Sequence, residues 1–190
     1  MSTQTQTATL YDHIKPSSLW LEIPLLLGFN LILVACAQIA IDLPFVPVTG
    51  QTFGVLLIAM ALGRVRGTAI VAAYLIEGAC GLPVFAEGRA GLPVFFGPTG
   101  GYLIGFAAAA VLVGWLADKG WDKRYMISIL AMTLGTLVIY ACGLAWLSRF
   151  VPANSLLTIG VIPFLPGAAI KIGLAAVVLP SVWKFLKPGQ

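Results

Sequence analysis

Long apolar runs joined by short polar connections are the feature that most restricts how this chain can fold. Four of them, at about residues 19–41, 97–117, 125–148 and 159–185, are long enough to cross a membrane, since a spanning helix needs about 20 apolar residues. Only 9% of the 190 residues are charged, whereas about 25% are charged in an ordinary soluble domain. We therefore predict an all-α integral membrane protein.

Two further apolar segments are too short to span a membrane upright. Residues 51–63 and 67–81 contain 13 and 15 residues, and the basic turn RVRG lies between them. At about 1.5 Å of rise per residue, neither segment crosses a hydrocarbon layer of about 30 Å. We predict that they form short helices packed against each other, which completes a six-helix transmembrane bundle and leaves a hollow at one side of the membrane. Short segments interrupted by Gly and Pro are typical of transport sites.

Residues 81–98, called the Gly/Pro segment below, separate the third predicted helix from the fourth. They open the stretch GLPVFAEGRAGLPVFFGPTGGYLIG (residues 81–105), in which GLPVF occurs twice. Backbone this rich in Gly and Pro does not continue a helix, and at membrane depth it is tolerated only where it lines a cavity or the membrane rim. We expect a structured extracytoplasmic loop over a binding site, with two similar turns that each bury a Val and a Phe. An ordinary connecting loop is the alternative.

The distribution of basic residues predicts the orientation of the bundle. Eight of the eleven Lys and Arg residues fall on one side, Arg89 and Arg149 fall on the other, and Lys171 lies within a span. Because positive charge is retained on the cytoplasmic side, both termini should be cytoplasmic and the Gly/Pro segment should face outward. The expected organisation is a disordered cytoplasmic leader at 1–18, one membrane domain at 19–187 and a tail at 188–190.

Small residues in the first span predict a surface for close helix contact. Cys36, Ala37 and Ala40 form a stripe that we expect to face a partner protein. LVAC at 33–36 also resembles a lipoprotein cleavage site, so removal of the leader is an alternative. Glu22, which interrupts the segment, and the low positive charge of the leader argue against cleavage.

Several kinds of chemistry have no support in the sequence. The single histidine, His13, excludes a His-based metal cluster, and Cys36, Cys80 and Cys142 are expected to be buried free thiols because they lie in apolar runs without metal-ligand spacing. GPTGGY at 97–102 does not match the phosphate-binding loop pattern. The net charge of +4 is spread over the connections and forms no basic patch for nucleic acid. We predict no catalytic residue, no metal and no cofactor.

Ionisable and polar residues near the predicted hollow are the candidates for ligand binding. Glu77, Arg89 and Lys171 lie where charge is costly, and an intramembrane charge is a functional candidate by default. For Lys171 the alternatives are snorkelling to the surface or a structural ion pair with Glu77. The neutral candidates lie near the same predicted outer face. The polar ones are Gln51, Tyr74, Thr99 and Tyr102, and the phenylalanines that would supply apolar walls are Phe53, Phe85, Phe95 and Phe96.

Four motifs resemble those of a known family. They are VTGQTFGVLL at 48–57, YLIEGACGLPVFA at 74–86, GPTGGYLIGF at 97–106 and PFLPGAAIK at 163–171. On these motifs the chain resembles the biotin-specific substrate-binding components of energy-coupling factor transporters, the BioY family. The resemblance implies a six-helix protein, surrounded by lipid in a prokaryotic plasma membrane, that captures biotin from outside. It also implies a transmembrane coupling subunit and two cytoplasmic ATPase subunits as partners.

The chain departs from the family pattern at two positions. The family motif usually reads PGD ahead of the lysine, whereas this chain has Ala168 in place of the aspartate, and Glu77 stands where the family is commonly apolar. Arg89 and Lys171 are available for the carboxylate of biotin, and Glu77 is our hypothesis for the acceptor that Ala168 cannot supply. The alternatives are a biotin precursor or another vitamin as ligand, a membrane-embedded enzyme that uses Glu77 with Lys171, and a scaffold without a ligand.

Overall fold

The computed structural model describes residues 9–14, 16 and 18–186 of the chain. Helices dominate the fold, and a short antiparallel strand pair places Ala40 opposite Thr49. In chain order the elements are α1 (Leu10–Ile14), α2 (Leu19–Gln38), β1 (Ala40–Ile41), β2 (Val48–Thr49), α3 (Gln51–Ala79), α4 (Pro93–Phe96), α5 (Gly100–Asp118), α6 (Tyr125–Leu147), α7 (Leu156–Gly160) and α8 (Leu165–Leu186). Short 3₁₀ turns lie at Ala86–Gly88, Trp121–Lys123, Ala153–Ser155 and Ile162–Phe164.

Long apolar helices make up most of the described chain. Helices satisfy their backbone hydrogen bonds internally, which is what hydrocarbon demands of a spanning segment. The prediction of a helical membrane protein is confirmed in this general form. Within the described residues, five helical stretches are long and apolar enough to cross a membrane, namely Trp20–Gln38, Gln51–Ala79, Gly100–Asp118, Tyr125–Leu147 and Ala153–Lys184.

Helix α3 folds back on itself at Gly63. This glycine has φ 76° and ψ −178°, a positive-φ conformation that glycine adopts without steric cost. Gln51 Nε2 donates to the Tyr74 hydroxyl at 2.6 Å, although a straight helix would hold residues 23 positions apart about 34 Å from each other. Residues 51–62 and 64–79 are therefore two antiparallel arms, as the lengths of the two segments led us to expect.

The turn between the arms is tighter than the sequence indicated. RVRG at 64–67, which we expected to form the turn, already belongs to the second arm, and the reversal occurs at Gly63. Gly67 lets the arms approach each other, because a Cβ there would lie 2.7 Å from the Cα of Ala59. Gly114 of α5 does the same at the turn, since its Cβ would lie 2.8 Å from the carbonyl carbon of Gly63. The two arms and α5 thus meet at backbone level.

Helix α1 packs against the end of the bundle that carries the α3 turn. Tyr11 is fully buried, its hydroxyl donates to Glu22 of α2, and the guanidinium of Arg66 lies 4.1 Å from its ring centre. Arg66 also pairs with Glu22 at 3.3 Å. Because this ring and ion pair anchor the segment, the expectation of a wholly disordered leader is wrong for Leu10–Ile14. Residues 1–8 lie outside the described residues.

The small-residue stripe of α2 does not form one exposed surface. Ala37 is fully buried, on the same face as the buried Leu33 four residues earlier. Cys36 lies against the start of α3, since a Cβ on Gly50 would lie 2.4 Å from the Cys36 carbonyl oxygen. Ala40 lies in β1 and is half-buried. The expected contact with a partner is therefore wrong for Ala37, because its own chain already covers it.

The cysteines are less buried than expected. All three carry free thiols, but Cys80 is exposed, and Cys36 and Cys142 are half-buried. Cys80 directly follows the last residue of α3, where the chain leaves the packed arms and enters the Gly/Pro segment.

A buried carboxyl group connects α8 to the turn between α5 and α6. Asp122 is fully buried, and its Oδ2 accepts a hydrogen bond from Trp183 Nε1 at 2.5 Å. Its Oδ1 has no hydrogen-bond partner among the described residues. Burial raises the pKa of Asp122 to about 6, because the charged form loses its hydration.

We expect this carboxyl group to make the free energy of unfolding depend on pH. Because the pKa of Asp122 rises from 3.8 to about 6 on folding, the folded state binds more protons than the unfolded state between these values. The stabilisation is complete below this window and is lost as the pH rises through it, by at most about 3 kcal/mol. Asp122→Asn should remove the loss, which thermal unfolding across the window measures. The same pH dependence in the variant would contradict this assignment.

Candidate ligand-binding site

A cavity lies beneath the Gly/Pro segment, among α3, α5, α6 and α8. It holds about 640 Å³ of empty space, a figure that includes the open solvent at its mouth. Most of its wall is apolar or aromatic, with a few polar groups. The lining residues are Val46, Pro47, Thr49, Gln51, Thr52, Phe85, Ala86, Arg89, Val94, Thr99, Tyr102, Leu103, Phe106, Tyr140, Phe164 and Lys171.

Most of the residues predicted to bind a ligand line this cavity. Tyr74 lies directly behind the wall, where it is fully buried and bonded to Gln51. Glu77 is half-buried on the same arm and does not line the cavity, so this placement does not favour its hypothesised role as an acceptor. The other six predicted residues do line it; they are Gln51, Phe85, Arg89, Thr99, Tyr102 and Lys171.

The Gly/Pro segment forms a folded cover over the cavity. It contains the turn Ala86–Gly88 and helix α4, and Gly91 N–H donates to the Gly78 carbonyl of α3 at 2.6 Å. Gly81 and Gly91 begin the two GLPVF copies with positive φ values of 101° and 86°. The expectation of two similar turns is wrong beyond that point, because the second copy continues into α4, whereas the first leads through an extended residue into the 3₁₀ turn.

Phe85 closes the inner side of this cover. Its ring is buried and meets Tyr74 and Phe95 edge to face, with ring centres 5.5 and 5.6 Å apart. Gly78 makes room for the ring, because a Cβ there would lie 2.1 Å from it. Of the four phenylalanines expected in the wall, Phe85 lines the cavity and the other three do not.

A chain of hydrogen bonds links β2, both arms of α3 and the cover. Thr49 Oγ1 donates to Gln51 Oε1 at 2.9 Å, and Gln51 Nε2 donates to the Tyr74 hydroxyl at 2.6 Å. That hydroxyl donates to the Val84 carbonyl at 3.1 Å. The Gln51 amide is thereby oriented in advance, and one N–H and one oxygen lone pair remain available to a ligand.

Lys171 brings a cation to the wall of the cavity. Its ammonium group donates to the Thr49 carbonyl oxygen and, at 3.1 Å, to Thr52 Oγ1. These two bonds use two of its three donors, so one N–H remains. The alternative ion pair with Glu77 is not formed, since Lys171 has no carboxylate within ion-pair distance in the described part of the chain.

Arg89 brings a second cation, which lies at the mouth of the cavity. It pairs with Glu87 at 2.5 Å and with Asp42 at 3.6 Å, and its side chain is 44% exposed. Exposed ion pairs contribute only about 0–1 kcal/mol. The guanidinium can therefore exchange these partners for a ligand carboxylate at little cost.

The aromatic wall opposite the cover was only partly expected. Besides Tyr102, it contains Phe106 of α5, Tyr140 of α6 and Phe164, whose ring centre lies 6.0 Å from that of Tyr102 and 6.2 Å from that of Tyr140. The Tyr102 hydroxyl donates to the Gly160 carbonyl at 2.8 Å, which holds the ring in place. The i, i+4 spacing of Tyr102 and Phe106 on one helix was the available signal.

A smaller hollow adjoins the cavity at Lys171. It holds about 260 Å³ of empty space and shares Thr52 and Lys171 with the main cavity. Ala168, one turn before Lys171, lines this hollow together with Thr136. The Thr136 hydroxyl donates to the Met132 carbonyl of its own helix at 2.8 Å. Ala168, which stands in place of the aspartate expected from the family motif, thus lines a side hollow, and none of the residues that line this hollow carries a carboxylate.

Comparison with known sequences gives a consistent result. The model of the BioY family matches residues 9–188. A protein of Pyrococcus horikoshii named probable biotin transporter BioY is 37% identical over 157 residues, which cover 83% of this chain and 93% of that protein. Biotin transporter BioY of Thermotoga maritima is 40% identical over 151 residues, which cover 79% of this chain and 88% of that protein.

A solved structure shares the fold. It is a crystal structure at 2.1 Å of the S-component for biotin from an ECF-type ABC transporter, with a TM-score of 0.79 and 25% sequence identity. The match covers 89% of this chain and 95% of the solved chain. Together with the family match over nearly the whole sequence, this similarity shows that the chain belongs to the BioY family.

Proposed function

We propose that this chain is the substrate-binding component of an energy-coupling factor transporter and that it captures biotin outside the cell. The observation that carries the proposal is the cavity beneath the Gly/Pro segment, which combines aromatic walls with the two cations Arg89 and Lys171. The names of the two relatives and of the solved structure specify biotin, which supports the same ligand here. Membership of a family of transporter components excludes the enzymatic alternative.

In this proposal the two cations bind opposite ends of biotin. Arg89 takes the carboxylate, because a planar guanidinium can donate to both oxygens and its present partners hold it weakly. Lys171 uses its remaining N–H for the ureido carbonyl. The fused rings pack between Phe85 on the cover and the wall of Tyr102 and Phe164. The carboxylate thereby meets a cation, and the neutral ureido carbonyl meets a charged hydrogen-bond donor.

The ureido N–H groups need acceptors, and these must be neutral in this chain. None of the lining residues of the cavity carries a carboxylate. We propose that the free lone pair of Gln51 and the hydroxyl oxygens of Thr52 and Thr99 serve instead, with Tyr74 holding Gln51 in position. Neutral acceptors bind less strongly than a carboxylate, so a biotin precursor that keeps both polar ends is the alternative ligand.

We further propose a topology of six spans in a prokaryotic plasma membrane, in which the two arms of α3 count separately. The excess of Lys and Arg at one side supports cytoplasmic termini and an outward-facing Gly/Pro segment. Lys15 and Lys187, which belong to that count, lie outside the described residues. A transmembrane coupling subunit and two cytoplasmic ATPase subunits would supply the energy for release to the inside.

The decisive experiment identifies the small molecule that the full chain carries. The protein is purified in detergent and denatured, and the released compounds are analysed by mass spectrometry. Equilibrium binding is then measured with biotin, desthiobiotin and an unrelated vitamin. Recovery of biotin and preferential binding of biotin are expected. Preference for desthiobiotin would indicate the precursor, preference for the unrelated vitamin would reject the proposed ligand class, and no binding at all would favour a scaffold.

A further inference from the structure

One glutamine outside the cavity holds the cover from two sides. Gln38 is the last residue of α2, and its Nε2 donates to the Phe85 carbonyl at 3.1 Å and to the Val84 carbonyl at 3.4 Å. Its Oε1 accepts from Gly88 N–H at 3.2 Å. A single amide therefore bonds to the backbone before and after Ala86, and neither the motifs nor the cavity lining singled it out.

The bonded backbone lies in the part of the cover that, together with Val94 of α4, lines the cavity. Phe85, Ala86 and Arg89 all line it, and the three carbonyl and N–H groups that Gln38 contacts lie between residues 84 and 88. Glu87, next to Gly88, has φ 60° and ψ 25°, a left-handed conformation that is costly for a residue other than glycine. Such a conformation persists only where its surroundings hold it, and the Gln38 amide supplies hydrogen bonds that do so.

Within the described residues, the other attachments of this turn do not involve α2. Tyr74 donates to the Val84 carbonyl, and the buried Phe85 ring packs against Tyr74 and Phe95. Arg89 forms a half-exposed ion pair with Asp42 at 3.6 Å. Gln38 is the contact that joins the turn directly to the end of α2. Any movement of that helix end relative to α3 therefore acts on the turn that covers the ligand.

We propose that Gln38 is a positioning residue that latches the cover over the ligand and sets how fast the ligand leaves. This inference rests on the proposed function, because it concerns the same cavity. With the latch closed, Phe85 and Arg89 stay in place over the cavity. When the three hydrogen bonds break together, the turn swings away and the mouth opens. Gln38 touches no ligand itself, so its effect falls on ligand release more than on the contacts that the ligand makes.

The test compares ligand kinetics in the full chain, reconstituted in lipid nanodiscs, using radiolabelled biotin. Gln38→Leu removes all three hydrogen bonds at similar volume, whereas Gln38→Glu keeps the acceptor for Gly88 N–H and loses both donors. Because each lost bond to a neutral partner is worth roughly a few-fold, we expect Gln38→Leu to speed biotin dissociation about tenfold or more. The association rate should change much less. The dissociation rate of Gln38→Glu should lie between those of the unaltered chain and of Gln38→Leu. Leu31→Ala, on the exposed side of the same helix, is the matched control.

A second measurement tests the latch without a ligand. Hydrogen exchange, followed by mass spectrometry, should show faster exchange at residues 84–89 in Gln38→Leu, with the peptides of α5 unchanged. Unchanged dissociation and unchanged exchange in Gln38→Leu would overturn the proposal. Faster exchange throughout the protein with a lower unfolding temperature would also overturn it, because Gln38 would then be a general stabiliser. If the unaltered chain binds no biotin, the proposed function fails, and the exchange comparison still decides on the latch.

Discussion

Replacing Gly100 by Val is expected to remove nearly all folded protein from the membrane. A Cβ at this position would lie 1.8 Å from the carbonyl oxygen of Phe95 and 3.2 Å from Trp146 Nε1. The nearest atom belongs to the backbone of the cover, which cannot move aside as a flexible side chain can. Overpacking typically costs about 1–3 kcal/mol, and a clash with backbone belongs at the upper end of that range, which is a large part of the stability of a typical domain. The yield of monodisperse protein and its thermal unfolding midpoint in detergent measure the loss.

Two control variants separate this effect from a general intolerance of change. Gly28→Val should be accepted, because no atom lies within 4 Å of a Cβ at that position on α2. Arg89→Ala should also leave the yield and the unfolding midpoint unchanged, since the half-exposed Arg89 pairs contribute little to stability. It should nevertheless weaken biotin binding. Equal loss of folded protein in Gly100→Val and Arg89→Ala would contradict the assignment of one residue to packing and the other to capture.

Lys171→Met should lower the affinity for biotin by about 10- to 100-fold, because a charge-assisted hydrogen bond contributes about 1.5–3 kcal/mol. Methionine keeps most of the length of the side chain and removes the ammonium group that now bonds to Thr49 and Thr52. The folded yield should be close to that of the unaltered chain, because the lost charge lies in a costly environment. Titration calorimetry with biotin and with desthiobiotin measures the change.

Glu77→Gln and Glu77→Ala provide the comparison for Lys171. Glu77 does not line the cavity, so both variants should bind biotin as the unaltered chain does. A loss of affinity in both would restore the hypothesis that Glu77 replaces the acceptor missing at Ala168. Unchanged affinity in Lys171→Met would instead remove Lys171 from the site and leave Arg89 as the cation that binds the ligand.

The membrane class and the location of the candidate cavity could be predicted because both depend on local features of the sequence. Apolar runs and their lengths are read directly from residue types, and the short segments at 51–63 and 67–81 pointed to two packed arms. Gly/Pro motifs and isolated charges pointed to the cover and to Lys171. Each of these features can be recognised from residues that are close in sequence, together with the requirements that a bilayer places on a spanning segment.

The features that were missed depend on contacts between distant parts of the chain. The reversal was predicted at RVRG (residues 64–67), whereas the structure places it at Gly63, where α5 packs against the turn through Gly114. Ala37 was predicted to contact a partner protein, because the spacing of small residues along a helix does not show whether the same chain or a partner covers that helix face. Gln38 belongs to no motif, and its importance comes from hydrogen bonds with backbone carbonyl and N–H groups 46 to 50 positions away.

The Gly63 turn also has a consequence for how the protein is made. At about 1.5 Å per residue, the arms 51–62 and 64–79 measure about 18 and 24 Å, which is less than the roughly 30 Å of a hydrocarbon core. Neither arm is therefore a good insertion substrate when it leaves the ribosome alone. The pair must partition into the bilayer together as a helical hairpin, so a substitution at Gly63 would already act during biosynthesis, before any tertiary contact with α5 has formed.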